Sequence, residues 1–180
     1  MLNTIPNRIT IGRLLSVPLL MYLILSESSA GRILAVILFF LAAVSDVVDG
    51  HIARSLKQTS VFGKFADPIA DKLLISGALI AFVQLGELSA AVVMALIARE
   101  FLVTGLRIVA IHDGLIIDAS MLGKLKTLSH VVLVLLVLVS RIFSFGPGGD
   151  IAKMVALIVA IAMSLISGIE YFYRSRSLFV

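Results

Sequence analysis

"SDVVDGHIAR", residues 45–54, closes a run of thirteen uncharged residues, Ile33 to Ser45, and sets Asp46 and Asp49 where an apolar helix would be expected to continue. The rest of the chain makes that placement expensive. Of 180 residues, 60% are hydrophobic and only 14% charged, with a mean hydropathy of +1.13. A soluble domain of this size needs more polar surface than that to face water, so the chain belongs to the membrane class. The net charge of +4 does not point to nucleic acid, because the basic residues are scattered singly between apolar runs and form no stripe with aromatic platforms. The absence of cysteine excludes thiol nucleophiles, disulfides and thiolate metal sites. Arg8, Arg13, the run Leu14–Leu25 and Ser28-Ser29-Ala30 have the outline of a secretory signal, but further apolar runs follow and the segment reads as a first span.

Apolar stretches fall at about 9–25, 32–53, 65–85, 88–110, 124–143 and 151–172, separated by short polar or glycine-rich breaks. Crossing a bilayer as a helix takes about 20 residues. The charge-free runs, such as Leu73–Gly86 and Leu88–Ala98, are shorter, so each span must carry charge inside one end. The fold expected is all-α: one polytopic membrane domain over residues 1–180 with six transmembrane helices. If the spans alternate in direction, every intruding charge falls on one side. That side holds twelve of the fifteen basic residues, leaving Arg32, Arg141 and Lys153 opposite. The positive-inside rule makes it cytoplasmic, with both termini there.

An ionisable group within the membrane costs at least about 2.5 kcal/mol on insertion scales, so several converging at one depth mark a polar cavity with a function. Snorkelling to the interface suits long side chains such as Lys64 or Arg174 and suits aspartate poorly. On a helix Asp46, Asp49 and Ala53 stand at i, i+3 and i+7, and Asp67 and Asp71 at i, i+4. Four carboxylates close together repel unless cations sit between them. Oxygen donors without His or Cys favour Mg²⁺, Mn²⁺ or Ca²⁺ over zinc. Four of them can hold two divalent cations, the arrangement used for displacement at phosphorus. Gly50, Ala53 and Gly63 remove side-chain bulk beside that point, which suits a close-lying nucleotide or diphosphate.

The pattern Asp46-x-x-Asp49-Gly50-x-x-Ala53-Arg54, then eight residues, Gly63, three residues, Asp67, three residues and Asp71 resembles the signature of the CDP-alcohol phosphatidyltransferase family, with eight fixed residues across 26 positions. "IPNRITIGR", "DPIADKLL", "AREFLVTGLR", "GKLKT" and "SGIEYF" extend the resemblance along most of the chain, toward those bacterial members that use glycerol 3-phosphate as acceptor. The resemblance implies transfer of a phosphatidyl group from CDP-diacylglycerol to sn-glycerol 3-phosphate, at the cytoplasmic face of a bacterial inner membrane. It implies two divalent cations, Mg²⁺ or Mn²⁺, held by Asp46, Asp49 and Asp67 as principal ligands with Asp71 beside them as general base. It places the cytidine nucleotide against Gly50, Ala53, Arg54 and Gly63, with Asn7 and Thr10 assisting. Arg99, Arg107 and Lys124 become the pocket for the acceptor's phosphate, Lys126 its rim, and the working form a homodimer.

Positive-inside anchoring is the competing account of each of those basic residues. Glu100 is expected to pair with a neighbouring arginine. His51, His112 and His130 lack a metal-site spacing. Pro18 is a candidate kink in the first span, and Pro68 is expected in the first turns of the third. A transporter would spread its acidic residues across the membrane's depth. A prenyltransferase with aspartate-rich motifs would need a longer chain and would lack the Gly-x-x-Ala-Arg tail.

Overall fold

The computed structural model describes residues 5–56, 61–112, 120–143 and 145–176, and within these the side chains of 10–45, 69–70, 72–110, 120–143 and 145–176. Every element among the described residues is an α-helix: α1 (Ile5–Leu25), α2 (Ser29–Leu56), α3 (Val61–Gln84), α4 (Ala90–His112), α5 (Met121–Ser140) and α6 (Gly146–Arg174). The helices match the six apolar stretches in order. Most run a few residues past them, because helical hydrogen bonding continues through polar residues until a cap stops it. Ser28 supplies such a cap to α2, its hydroxyl accepting from the Gly31 N–H at 3.0 Å. Ser120 does the same for α5, accepting from Gly123 N–H at 3.0 Å. At the end of α3, Gly86 takes φ +74°. The Glu87 N–H then returns to Phe82 O and the Gly86 N–H to Val83 O, which satisfies two carbonyls that would otherwise be orphaned. Pro18 lies inside α1. Since α3 begins at Val61, Pro68 is its eighth residue, deeper than the sequence suggests.

The chain divides into two compact units, Met1–Leu88 with Val137–Ser144, and Ser89–Leu136 with Phe145–Val180. In the first, α1 packs against α3 and α2, and α2 also touches α3. Its core includes Leu20, Ile24, Phe39, Leu74, Leu79 and Phe82. Gly77 lets α3 approach α1 closely, since a Cβ there would meet Val17 Cγ1 at 2.9 Å. In the second unit α4 packs on α6. The buried side of α6 is Ala156, Ala160, Ser164, Ser167, Gly168 and Tyr171; the first five are small residues that let a neighbouring backbone come near.

Many large apolar side chains lie on the described surface, and several polar ones are buried. Thr10, Arg13, Lys126, His130, Ser164 and Ser167 are buried, while Tyr22, Phe40, Phe101, Ile158, Leu165 and Ile169 are exposed. α5 and α6 are long and apolar enough to cross a membrane, and only 28% of the most apolar stretch of α6 is buried, unlike the core helix of a soluble protein. The apolar described parts of α1, α2 and α3 are shorter, Thr10–Leu25, Ser29–Ser45 and Lys72–Gln84. α4 carries Arg99, Glu100 and Arg107 within its length.

Candidate functional site

The acidic signature lies on two helices of the first unit. α2 carries Asp46, Asp49, Gly50, Ala53 and Arg54, and α3 carries Gly63, Asp67 and Asp71. Only residues 57–60 separate the helices, which contact each other. The side chains of all eight lie outside the described residues, as does that of Asn7. The helical register of their neighbours is nevertheless informative. On α2 the buried residues Ala35, Phe39 and Ala42 recur at intervals of three to four. Asp46, Asp49 and Ala53 continue that stripe at the same intervals. On α3 the buried stripe Ala70, Leu74 and Ala78 has Asp67 and Asp71 at its N-terminal end. By helical register alone, the aspartate positions adjoin the two buried stripes near the ends of α2 and α3 that are consecutive in sequence. An all-carboxylate donor set suits hard divalent cations and not zinc. Among the described residues no three His, Asp or Glu side chains gather as a metal site. Thr10 is buried on α1.

The basic residues belong to the second unit and divide into two kinds. Arg107 and Lys124 are exposed on α4 and in the first turn of α5. Arg99 is clasped inside the protein. Its Nε donates to Ser164 O at 2.9 Å, its Nη2 to Ser167 Oγ at 2.6 Å and its Nη1 to Glu100 Oε2 at 3.2 Å. Gly168 makes room for this, because a Cβ there would lie 3.3 Å from Arg99 Nε. The expected pairing of Glu100 with a neighbouring arginine is the Arg99 contact. Lys126, expected at the rim, is instead buried, and its Nζ donates to the same Glu100 oxygen. A lysine this buried needs a counter-ion. His130 is buried too, with Nδ1 against Lys126 O at 2.8 Å; the side chains of His51 and His112 lie outside the described residues.

Sequence reasoning gave no role to Ser164, Ser167 and Gly168, which seat Arg99. Their trace was the small-residue stripe of α6, which by itself signals helix packing. It also missed the roles of two cations on the other side of the parity division. Arg141 Nη1 donates to Ile24 O at 2.6 Å, and Arg32 Nη1 to Arg141 O at 3.1 Å. These guanidiniums satisfy carbonyls at the ends of α1 and α5, where cations are favoured.

Comparison with known proteins places these features. The family model for CDP-alcohol phosphatidyltransferase matches residues 3–166. A Bacillus subtilis protein named CDP-diacylglycerol–glycerol-3-phosphate 3-phosphatidyltransferase is 39% identical over 187 residues, covering 95% of this chain and 94% of its own length. A protein of the same name from Rickettsia typhi is 35% identical over 99% of this chain and 100% of its own. A probable phosphatidylglycerophosphate synthase from Mycobacterium tuberculosis is 36% identical over 94% of this chain and 80% of its own. With the family match reaching from α1 into α6 and the aspartate signature intact on α2 and α3, the chain belongs to the CDP-alcohol phosphatidyltransferase family.

Proposed function

We propose that this chain transfers the phosphatidyl group of CDP-diacylglycerol to the 1-hydroxyl of sn-glycerol 3-phosphate, releasing CMP and leaving phosphatidylglycerophosphate in the membrane. The observation that carries the reading is the complete eight-residue signature at the acidic ends of two packed helices. The printed names of the relatives support this acceptor over serine or inositol phosphate.

Asp46, Asp49, Asp67 and Asp71 would hold two divalent cations, Mg²⁺ or Mn²⁺. When bound, these supply positive charge against the diphosphate and the departing CMP. Gly50, Ala53 and Gly63 leave space for the nucleotide, and Arg54 pairs with one of its phosphates. Asp71 accepts the proton of the acceptor hydroxyl as that oxygen bonds to the lipid-linked phosphorus and the bond from phosphorus to the CMP oxygen breaks. Arg107 and Lys124, exposed and cationic, receive the acceptor's phosphate, with Arg99 completing the pocket from a fixed position.

The reading includes six membrane spans, both termini and the active site on the cytoplasmic side of a bacterial inner membrane, and a working homodimer. Charge parity supports the orientation. The capping of helix ends by Arg32 and Arg141 accounts for two of the three cations on the far side. Cysteine placed at Ser28 should react with an impermeant thiol reagent in intact cells and cysteine at Gln58 should not; labelling at Gln58 alone would invert the arrangement.

The function is tested with purified protein in detergent, CDP-diacylglycerol, and glycerol 3-phosphate, serine or inositol phosphate, following CMP release. Glycerol 3-phosphate should be the productive acceptor. Productive turnover with serine alone would overturn the assignment.

A further inference from the structure

Glu100 is an acidic residue in a region whose proposed task is to bind a phosphate, and the site described above gives it no part in the reaction. One of its carboxylate oxygens, Oε2, accepts from two cations on two helices, Arg99 Nη1 of α4 at 3.2 Å and Lys126 Nζ of α5. Both cations are shielded from solvent, with side chains 13% and 7% exposed. A cation so placed needs a matched anion, and removing one member of such a set leaves the other uncompensated. Arg99 is also tied to α6, through Ser164 O and Ser167 Oγ, and the Ser167 hydroxyl itself donates to Met163 O at 2.7 Å. One carboxylate thus joins α4, α5 and α6.

The register of that junction matters for the exposed cations. Arg107 stands seven residues after Glu100, two turns along the same stripe of α4. Lys124 stands two residues before Lys126, in the first turn of α5. Fixing Glu100 to Lys126 therefore fixes the spacing between the helix that carries Arg107 and the helix that carries Lys124. Two cations and one carboxylate also leave a single positive charge, so the junction does not repel an incoming phosphate.

We infer that Glu100 is a positioning residue for the acceptor-phosphate subsite, acting through Lys126 and Arg99 to hold Arg107 and Lys124 at the separation a phosphate requires. The inference rests on the proposed glycerol 3-phosphate reaction.

The test measures CMP release against glycerol 3-phosphate and CDP-diacylglycerol varied separately, for the natural protein, Glu100→Gln, Lys126→Met and the double variant. Glu100→Gln should raise the KM for glycerol 3-phosphate about tenfold, the scale on which supporting partners of a ligand act, and should leave the KM for CDP-diacylglycerol unchanged. Lys126→Met should do the same. The double variant should be no worse than the worse single one, because both break one link. A lower KM for glycerol 3-phosphate in Glu100→Gln, an equal rise in both KM values, or additive effects would each overturn the positioning role. Should Glu100→Gln not reach the membrane folded, Ser167→Ala decides. It removes an acceptor of Arg99 without changing a charge, and should raise only the glycerol 3-phosphate KM. A natural protein that releases no CMP with glycerol 3-phosphate would overturn the functional reading, whatever the variants do.

Discussion

The acidic helices α2 and α3 and the basic helices α4 to α6 meet the cost of charge in an apolar chain in opposite ways. In the basic region the neutralisation is internal, since Glu100 takes two buried cations and α6 supplies Arg99 with two oxygen acceptors. Arg107 and Lys124 are left exposed. The acidic signature sets four aspartates on helical stripes within 26 positions that also hold Arg54, Lys57 and Lys64. In the proposed reaction these carboxylates, close together, are neutralised by two divalent cations. The basic region is neutralised largely by its own side chains, and the acidic one is proposed to be neutralised by its ligands. Substitutions in the first should therefore change the affinity for one substrate, and in the second the reaction itself.

The largest effects should come from the acidic side. Asp46→Asn, Asp49→Asn and Asp67→Asn should each abolish CMP release while the protein still inserts in the membrane, because each removes a proposed metal ligand and keeps the side chain's size. Chelation with EDTA should produce the same loss in the natural protein, reversed by Mg²⁺ or Mn²⁺; full activity in chelator would rule out the metal site. Asp71→Asn should lower kcat by about 10²- to 10⁴-fold, the range for a missing general base. Both KM values should hold. A collapse of CDP-diacylglycerol affinity in Asp71→Asn would make that residue chiefly a ligand of the metal pair.

The two regions also differ in how much of them can be read without a structure. The acidic stripe is legible because it is local: every member lies within 26 positions, and helical periodicity alone aligns Asp46 with Asp49 and Asp67 with Asp71. The six helices are legible for the same reason, as apolar stretches separated by short breaks. Their ends are less so, because Ser28, Ser120 and Gly86 stop helices through backbone hydrogen bonds that hydropathy does not register. The basic region is the least legible. Arg99 finds its acceptors 65 and 68 residues away, and Lys126 its carboxylate 26 residues back. Nothing in the spacing of "AREFLVTGLR" or "GKLKT" separates the buried cations Arg99 and Lys126 from the exposed Arg107 and Lys124.

Effects of middle size should come from those exposed cations. Arg107→Gln or Lys124→Gln removes a charge-assisted contact of about 1.5–3 kcal/mol, so the apparent KM for glycerol 3-phosphate should rise about ten- to a hundredfold. CDP-diacylglycerol affinity should change little, since its diphosphate is assigned to the acidic side. An unchanged response to glycerol 3-phosphate in both variants would reduce these residues to membrane anchors and put the acceptor's phosphate elsewhere.

The smallest effect tests whether the internal clasp of the basic region matters for function at all, and it uses two glycines of the same unit. Gly105 on α4 has nothing within 4 Å of the position a Cβ would take, whereas at Gly168 on α6 that Cβ would stand 3.3 Å from Arg99 Nε. Both Gly→Ala changes gain about 1 kcal/mol of helix propensity. At 105 that gain is unopposed, so Gly105→Ala should leave the glycerol 3-phosphate KM alone and raise thermal stability slightly. At 168 the new methyl meets a guanidinium already donating at 2.9 Å to Ser164 O and at 2.6 Å to Ser167 Oγ. Arg99 has to yield by a few tenths of an ångström, and the junction with Glu100 moves with it. Gly168→Ala should therefore raise the glycerol 3-phosphate KM about threefold, the equivalent of roughly 0.6 kcal/mol, with the CDP-diacylglycerol KM unchanged. Identical kinetics for the two variants would mean that the seat of Arg99 tolerates displacement, and that the clasp stabilises the fold without tuning the acceptor site.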